Sequence, residues 1–252
     1  MVSQPKFIAR RIKEAIFYLC SRCSSMKSTK AVKGHLRNRL IRTRKKTAGQ
    51  ANIWLFYSLK LNLDVPIIGD LEMLHWVSEL ETQPQVRHFT MDFQVEISLQ
   101  ESGESFEEIT VIRVENVDGS IEFQQVDSKQ YDSCEKVSVP VRYKVENRIE
   151  KSRLVVVPAA HLQAFSKLSL SFWLKVIAFV SQVRGYDLSY EMGQVGISIS
   201  ICRGGTIGSL LDSMSIADTA LAVGAICRCV LQGNIIVDGQ ESFGLNTQWK
   251  TP

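Results

Sequence analysis

Asp127 and Lys129 stand two residues apart in the run Val126-Asp127-Ser128-Lys129-Gln130. On a β-strand that spacing puts both side chains on one face, together with Gln125. A strand-end carboxylate can ligate Mg²⁺ through oxygen, and a neighbouring ammonium can orient an attacking water or offset charge building on a phosphate. The same spacing also arises at ordinary solvated strand ends, so hydrolysis at this pair would need further acids close by. Glu72, near the start of a helical segment, could lean towards a neighbouring sheet.

The elements that must position these groups are readable. Alternating segments 110–115 and 120–129 flank Asn116-Val117-Asp118-Gly119. Asp-Gly favours a type I′ turn, so the two segments read as a hairpin. Residues 87–99 alternate strongly and read as another strand, with Phe89, Met91, Phe93, Val95 and Ile97 on one face and Asp92 on the other. Residues 51–63 begin the ordered core as helix or strand, and Val65-Pro66 marks a turn because proline keeps its predecessor extended. A helix opens at 68–72 with Asp70 as N-cap and carries the stripe Leu71, Leu74, His75, Val77 and Leu80. Pro84 closes it, and Glu72 and Glu79 ride on it. Residues 101–108 form an acidic loop, and 137–144 add a short strand interrupted by Pro140.

Charge divides the chain unevenly. The first fifty residues carry fourteen Lys or Arg against one acid, Glu14, a net +13; the whole chain is +4, which leaves −9 for the rest. A basic arm on an acidic body points to a polyanion, with duplex DNA first. Within the arm, Lys33, Arg37, Arg39, Arg42, Arg44, Lys45 and Lys46 surround Leu36, Leu40 and Ile41 at a spacing that lets a short helix track phosphates. Phe7, Ile8, Ile12, Ala15, Ile16 and Leu19 make the preceding segment amphipathic, which is the feature that would favour a membrane surface instead. Cys20 and Cys23 form a C-x-x-C without a second pair at zinc-finger spacing, and six scattered cysteines fit a reducing cytoplasm. Arg10, Arg11, Lys13 and Glu14 interrupt the first apolar stretch, so no secretory signal is expected.

The last third reads as a short strand at 155–159, a buried helix pair over 162–183, and a strand over 193–202 (GQVGISISIC). The 162–183 stretch carries Lys167 and Lys175, so no uncharged span nears the roughly 20 residues a bilayer needs. A short helix over 208–214, a longer one over 219–231 and a closing hairpin at 235–249 follow, with glycine ending the long helix. Helix, turn, helix and a two-stranded wing is a winged-helix order. The second helix offers only Arg228 to read bases, so the expected role is protein docking.

Residues 72–81 (EMLHWVSELE) followed by 83–89 (QPQVRHF) resemble the N-terminal part of TnsA, the endonuclease subunit of heteromeric bacterial transposases. The resemblance covers roughly residues 68–130, with an echo at the C-terminus, where the family carries a winged helix. It implies an α/β chain with a restriction-endonuclease-like mixed sheet core that cuts DNA at transposon ends with Mg²⁺, beside a partner transposase or an ATPase regulator. It divides the chain into a basic arm (1–50), a nuclease core (51–150) and a winged-helix-like docking domain (151–252). Glu72 falls on the family's first acid, although Gly69 replaces the usual serine. Two registers then compete. In one, Met91-Asp92 stands for the family's Pro-Asp and Asp127-Ser128-Lys129 supplies acid-x-Lys. Glu72, Asp92 and Asp127 would then hold Mg²⁺ and Lys129 would support the water. In the other, the spacing runs unbroken from Val86, so Val111-Ile112 takes the Pro-Asp position and Gln125-Val126-Asp127 the last motif. The second register implies a catalytically degenerate DNA-binding assembly subunit.

Overall fold

The computed structural model describes residues 52–99, 105–128, 134–146, 148–165, 167–239 and 242–252. Strands β1 (Ile53–Ser58) and β2 (Leu63–Ile68) pair antiparallel across a turn in which Asn62 is left-handed, its Oδ1 accepting from the Tyr57 hydroxyl at 2.7 Å. Val65-Pro66 is therefore not a turn but part of β2, with Pro66 opposite Leu55. A two-stranded ribbon keeps an open edge, where the missing N–H leaves no ladder bond unmade. Helix α1 (Asp70–His75) follows and widens into a π-helical segment, Trp76–Glu81.

Strands β3 (Val86–Ser98), β4 (Glu107–Asn116), β5 (Ile121–Asp127), β6 (Val137–Val145) and β7 (Arg148–Pro158) close into a barrel in the order β3-β4-β5-β7-β6. Neighbours are antiparallel except β5 and β7, which run parallel, so the mixed sheet expected of the core is present and closed. The β4–β5 hairpin forms as the alternation predicts, but its loop is not type I′. Gly119 alone among the loop residues has positive φ (82°), while the Asp118 carboxylate accepts from the N–H and hydroxyl of Ser120. Asn116 N–H donates to Ser120 O and Gly119 N–H to Asn116 O, giving a three-residue loop with a left-handed glycine.

One extra residue in β3 decides which core each half of that strand serves. Thr90 pairs with Arg113 and Phe93 with Val111, so three steps on β3 match two on β4, and Asp92 takes φ 53° inside the resulting bulge. Before the bulge, Phe89 and Met91 pack with Ile112 and Val114 against the helices. After it, Phe93, Val95 and Ile97 turn inward with Ile109, Val111, Phe123 and Leu154 to fill the barrel. The alternation in the sequence is continuous, but the face it marks changes at Asp92. Aspartate tolerates the left-handed region better than most side chains.

The remainder is α2 (Ala159–Gln163), α3 (Lys167–Gln182), α4 (Ser189–Cys202), β8 (Gly204–Thr206), α5 (Ile207–Asp212), α6 (Thr219–Leu231), β9 (Ile236–Val237) and β10 (Gln248–Lys250). The three short strands form one sheet in the order β8-β10-β9. Residues 193–202, expected as a strand from the Ile-Ser alternation, are the body of α4. Its buried positions, Glu191, Val195 and Ser198, follow helical spacing, and Ile197 and Ile201 point outward. Where Gly224 of α6 meets the end of α3, an added Cβ would lie 2.5 Å from a Val183 methyl, so glycine permits that approach. Among the described residues no helix is long and apolar enough to cross a membrane.

The boundary expected at 150 falls inside β7. One apolar cluster runs from Tyr57, Ile67 and Trp76 through Phe172, Ile226 and Trp249, so the C-terminal helices share their core with the N-terminal hairpin and α1. Residues 151–252 made alone would expose that shared surface. The expected outcome is a fragment without a cooperative thermal transition in circular dichroism, whereas 52–252 melts as a unit. A sharp transition in the fragment would show that the helices carry a sufficient core by themselves.

Candidate functional site at the end of the parallel strand pair

Gly69 opens α1 with φ 101° and ψ 153°, a conformation suited to glycine. Asp70 is not the cap. Its carboxylate accepts from Asn52 Nδ2 at 2.9 Å and Trp54 Nε1 at 3.0 Å, tying the helix start to β1. Glu72 folds back over Gly69 so closely that a Cβ there would collide with its carboxylate. That glycine, standing where the resembled family has serine, leaves room for the Glu72 carboxylate beside it.

The widened turn after His75 sends its acids to two places. Glu81, fully buried, accepts from Ser58 Oγ at 2.6 Å and the Leu59 N–H at 2.7 Å. Burial pushes its carboxyl up, against those hydrogen bonds and the nearby Lys60. Lys60 donates to Leu80 O and, at 2.5 Å, to Gln83 O, capping carbonyls at the end of the π-helical segment; burial lowers its pKa to about 8. Glu79 turns instead towards the end of the β5–β7 pair, where Asp127 lies opposite Pro158 and β7 passes directly into α2.

Five polar side chains from four parts of the chain meet here. Gln124, on the face of β5 opposite Phe123, places its Oε1 2.8 Å from Nε2 of the fully buried His75. The Gln124 amide nitrogen donates to Glu122 Oε1 at 2.5 Å, so its oxygen faces the ring and His75 Nε2 carries the proton. His75 Nδ1 is then a buried acceptor without a partner. Burial pulls this imidazole to about 4, opposed by Glu79 and by the Gln124 contact. Glu79 is gripped by Lys136 Nζ at 2.5 Å and His161 Nε2 at 3.1 Å. His161 Nδ1 lies 3.0 Å from Cys134 O, so both ring nitrogens face acceptors.

The nuclease positions sit otherwise. Asp92 is an exposed bulge residue on β3 and Asp127 is buried at the end of β5, with β4 between the two strands. Asp92 lies level with the Ile112–Gln124 pair, and Asp127 is three residues further along. Two strand spacings across and three residues along separate them by roughly 10 Å in each direction. Carboxylates sharing Mg²⁺ each need an oxygen about 2.1 Å from the ion. Among the described residues no three His, Cys, Asp or Glu side chains gather closely enough to hold a metal ion, so this donor set does not fit a Mg²⁺ centre. Lys129 and the arm residues Lys33 to Lys46 lie outside the described residues. The alternative register falls on neighbouring strands: Val111-Ile112 on β4 and Gln125-Val126-Asp127 on β5.

The chain matches no family model and no curated protein. The cluster was only partly visible beforehand. His75 and Glu79 lie four residues apart on a readable helix, but Lys136 and His161 reach them from distant segments that carry no motif.

His75 gives the cluster a pH signature. The folded ring titrates near 4 and the unfolded one near 6.5. Its contribution to stability is therefore complete above pH 6.5 and is lost as pH falls through 4, a loss of about 3 kcal/mol. Glu81, whose carboxyl is raised, acts in the opposite direction as acid is added, so the variant isolates the ring. Denaturant titrations of wild type and His75→Gln between pH 7 and 4 should show a shallower acid loss in the variant. Parallel curves would contradict the buried neutral imidazole.

Proposed function

We propose that this chain is a catalytically degenerate, TnsA-like DNA-binding subunit that assembles a transposition complex. Its arm grips duplex DNA by charge, and its body docks a partner transposase or ATPase regulator. The observation that carries the reading is the pair of strands β4 and β5. In the register that keeps the family spacing, the strand acid is replaced by Ile112 and the lysine by Asp127, beside a Gln124 hydrogen-bonded to buried His75. The core order is compatible with a restriction-endonuclease-like ancestry: a helix, a three-stranded antiparallel meander, and a later strand parallel to the meander's last.

The tail supports the docking half of the reading. Helix, strand, two helices and two strands, with the sheet ordered β8-β10-β9, is the order of a winged helix. The helix that would enter a DNA groove is α6, and eight of its thirteen residues are buried. A helix so enclosed cannot lay its side chains along base edges, and Arg228 is its one basic residue.

Fluorescence anisotropy with a short duplex at rising salt tests the arm. Removing residues 1–46 should flatten the slope of log affinity against log salt by several units, each neutralised phosphate contributing about 0.9. Equal slopes would remove the arm from the DNA contact. In the same mixtures, with partner transposase and Mg²⁺ or Mn²⁺ added, the reading expects assembly without nicking by this chain. Nicking that disappears with Asp127→Ala would establish the Mg²⁺-dependent endonuclease instead.

A further inference from the structure

Helix α4 presents an outer face of one composition. Tyr190, Ile197 and Ile201 are 58, 56 and 74 % exposed. Between them on the same face stand Ser189, Gly193, Gly196 and Ser200, also exposed. The helix carries a single charged residue, Glu191, and that one is buried. Surface helices of monomeric proteins ordinarily show charge outward, so an uncharged apolar stripe marks a contact face. The glycines sharpen the point. A Cβ at Gly193 or Gly196 would meet nothing within 4 Å, so packing within the chain does not require either residue, and both weaken the helix.

The order of large and small residues selects the occupant. If a second α4 lies antiparallel with the two-fold axis level with Val195, Tyr190 falls opposite Ser200, Gly193 opposite Ile197, and Ser189 opposite Ile201. Every bulky side chain then meets a small one, in both directions, as a two-fold contact demands. A parallel pair in register would set Tyr190 on Tyr190 and Ile197 on Ile197, leaving the glycine positions empty. The stripe also brings no charge against itself, although the body of each copy is acidic. We infer that the outer face of α4 is the interface of a symmetric dimer of this chain, closed by antiparallel α4–α4 packing. The helix has 14 residues and is about 21 Å long. Its face falls well short of the roughly 800 Å² per partner of a standard interface, so the dimer is reversible and forms in the micromolar range or above. This inference does not depend on the DNA-binding reading.

Sedimentation equilibrium of the full chain from about 1 to 200 µM, in enough salt to strip nucleic acid, tests it. The expected result is a concentration-dependent monomer–dimer equilibrium. Ile197→Glu and Gly193→Arg should each weaken it at least tenfold while leaving the thermal transition in place, because both positions are exposed and neither supports the core. A chain that stays monomeric throughout, or a dimer that survives both substitutions, would overturn the assignment.

Discussion

Between the pairs Thr90–Arg113 and Phe93–Val111, strand β3 runs one residue longer than its neighbour, and Asp92 absorbs the difference in the left-handed region. Side chains alternate across a strand, so one added residue exchanges its two faces. The first half of β3 therefore packs outward with Phe89 on the helices, and the second packs inward with Phe93 and Val95 in the barrel. Without that exchange the strand could serve only one of the two apolar clusters. Strand β4 needs no such device, because Ile112 and Val114 serve the outer cluster while Ile109 and Val111 fill the barrel. The barrel and the helical layer are thus joined through one bulge and one two-sided strand.

Apart from His75 Nδ1, the polar groups of the cluster around His75 and Glu79 are matched to each other. His75 meets Gln124 where α1 crosses β5, Glu79 carries Lys136 and His161, and Glu81 is held by Ser58, Leu59 and Lys60. Buried polar groups are tolerated when hydrogen-bonded and are costly when not. A carboxylate shared by a lysine and a histidine has its charge offset from within the protein. Separately, Asp92 on its bulge and Asp127 three residues beyond its level are held apart by the strand register.

Patterns of local origin were legible and those set by tertiary context were not. Alternation located β3 and the β4–β5 hairpin, and the apolar run with its following glycine located α6, because each signal is contained in the segment itself. The Ile-Ser alternation of α4 misled. A period of two in a short run is weaker than burial at 191, 195 and 198, and the outward isoleucines answer to a surface rather than to the core. Asp92 looked like a ligand because spacing cannot distinguish a left-handed bulge residue from a functional acid. The hydrogen bond of Gln124 to His75 joins residues 49 positions apart, and the sharing of Glu79 with His161 spans 82, so no local motif announces either. The domain boundary failed to coincide with the cores for the same reason, since β7 closes the barrel from beyond residue 150.

Asp92 and Asp127 stand on β3 and β5 with β4 between them and three residues apart in level, too far to share one cation. Titration of the full chain with Mn²⁺, followed by water-proton relaxation or calorimetry, tests this most directly. The expected result is weak, non-saturating binding that is the same in wild type and Asp127→Ala. One-to-one binding below about 1 mM that is lost in Asp127→Ala or Asp92→Ala would contradict it, because the strand register keeps those carboxylates too far apart to share an ion.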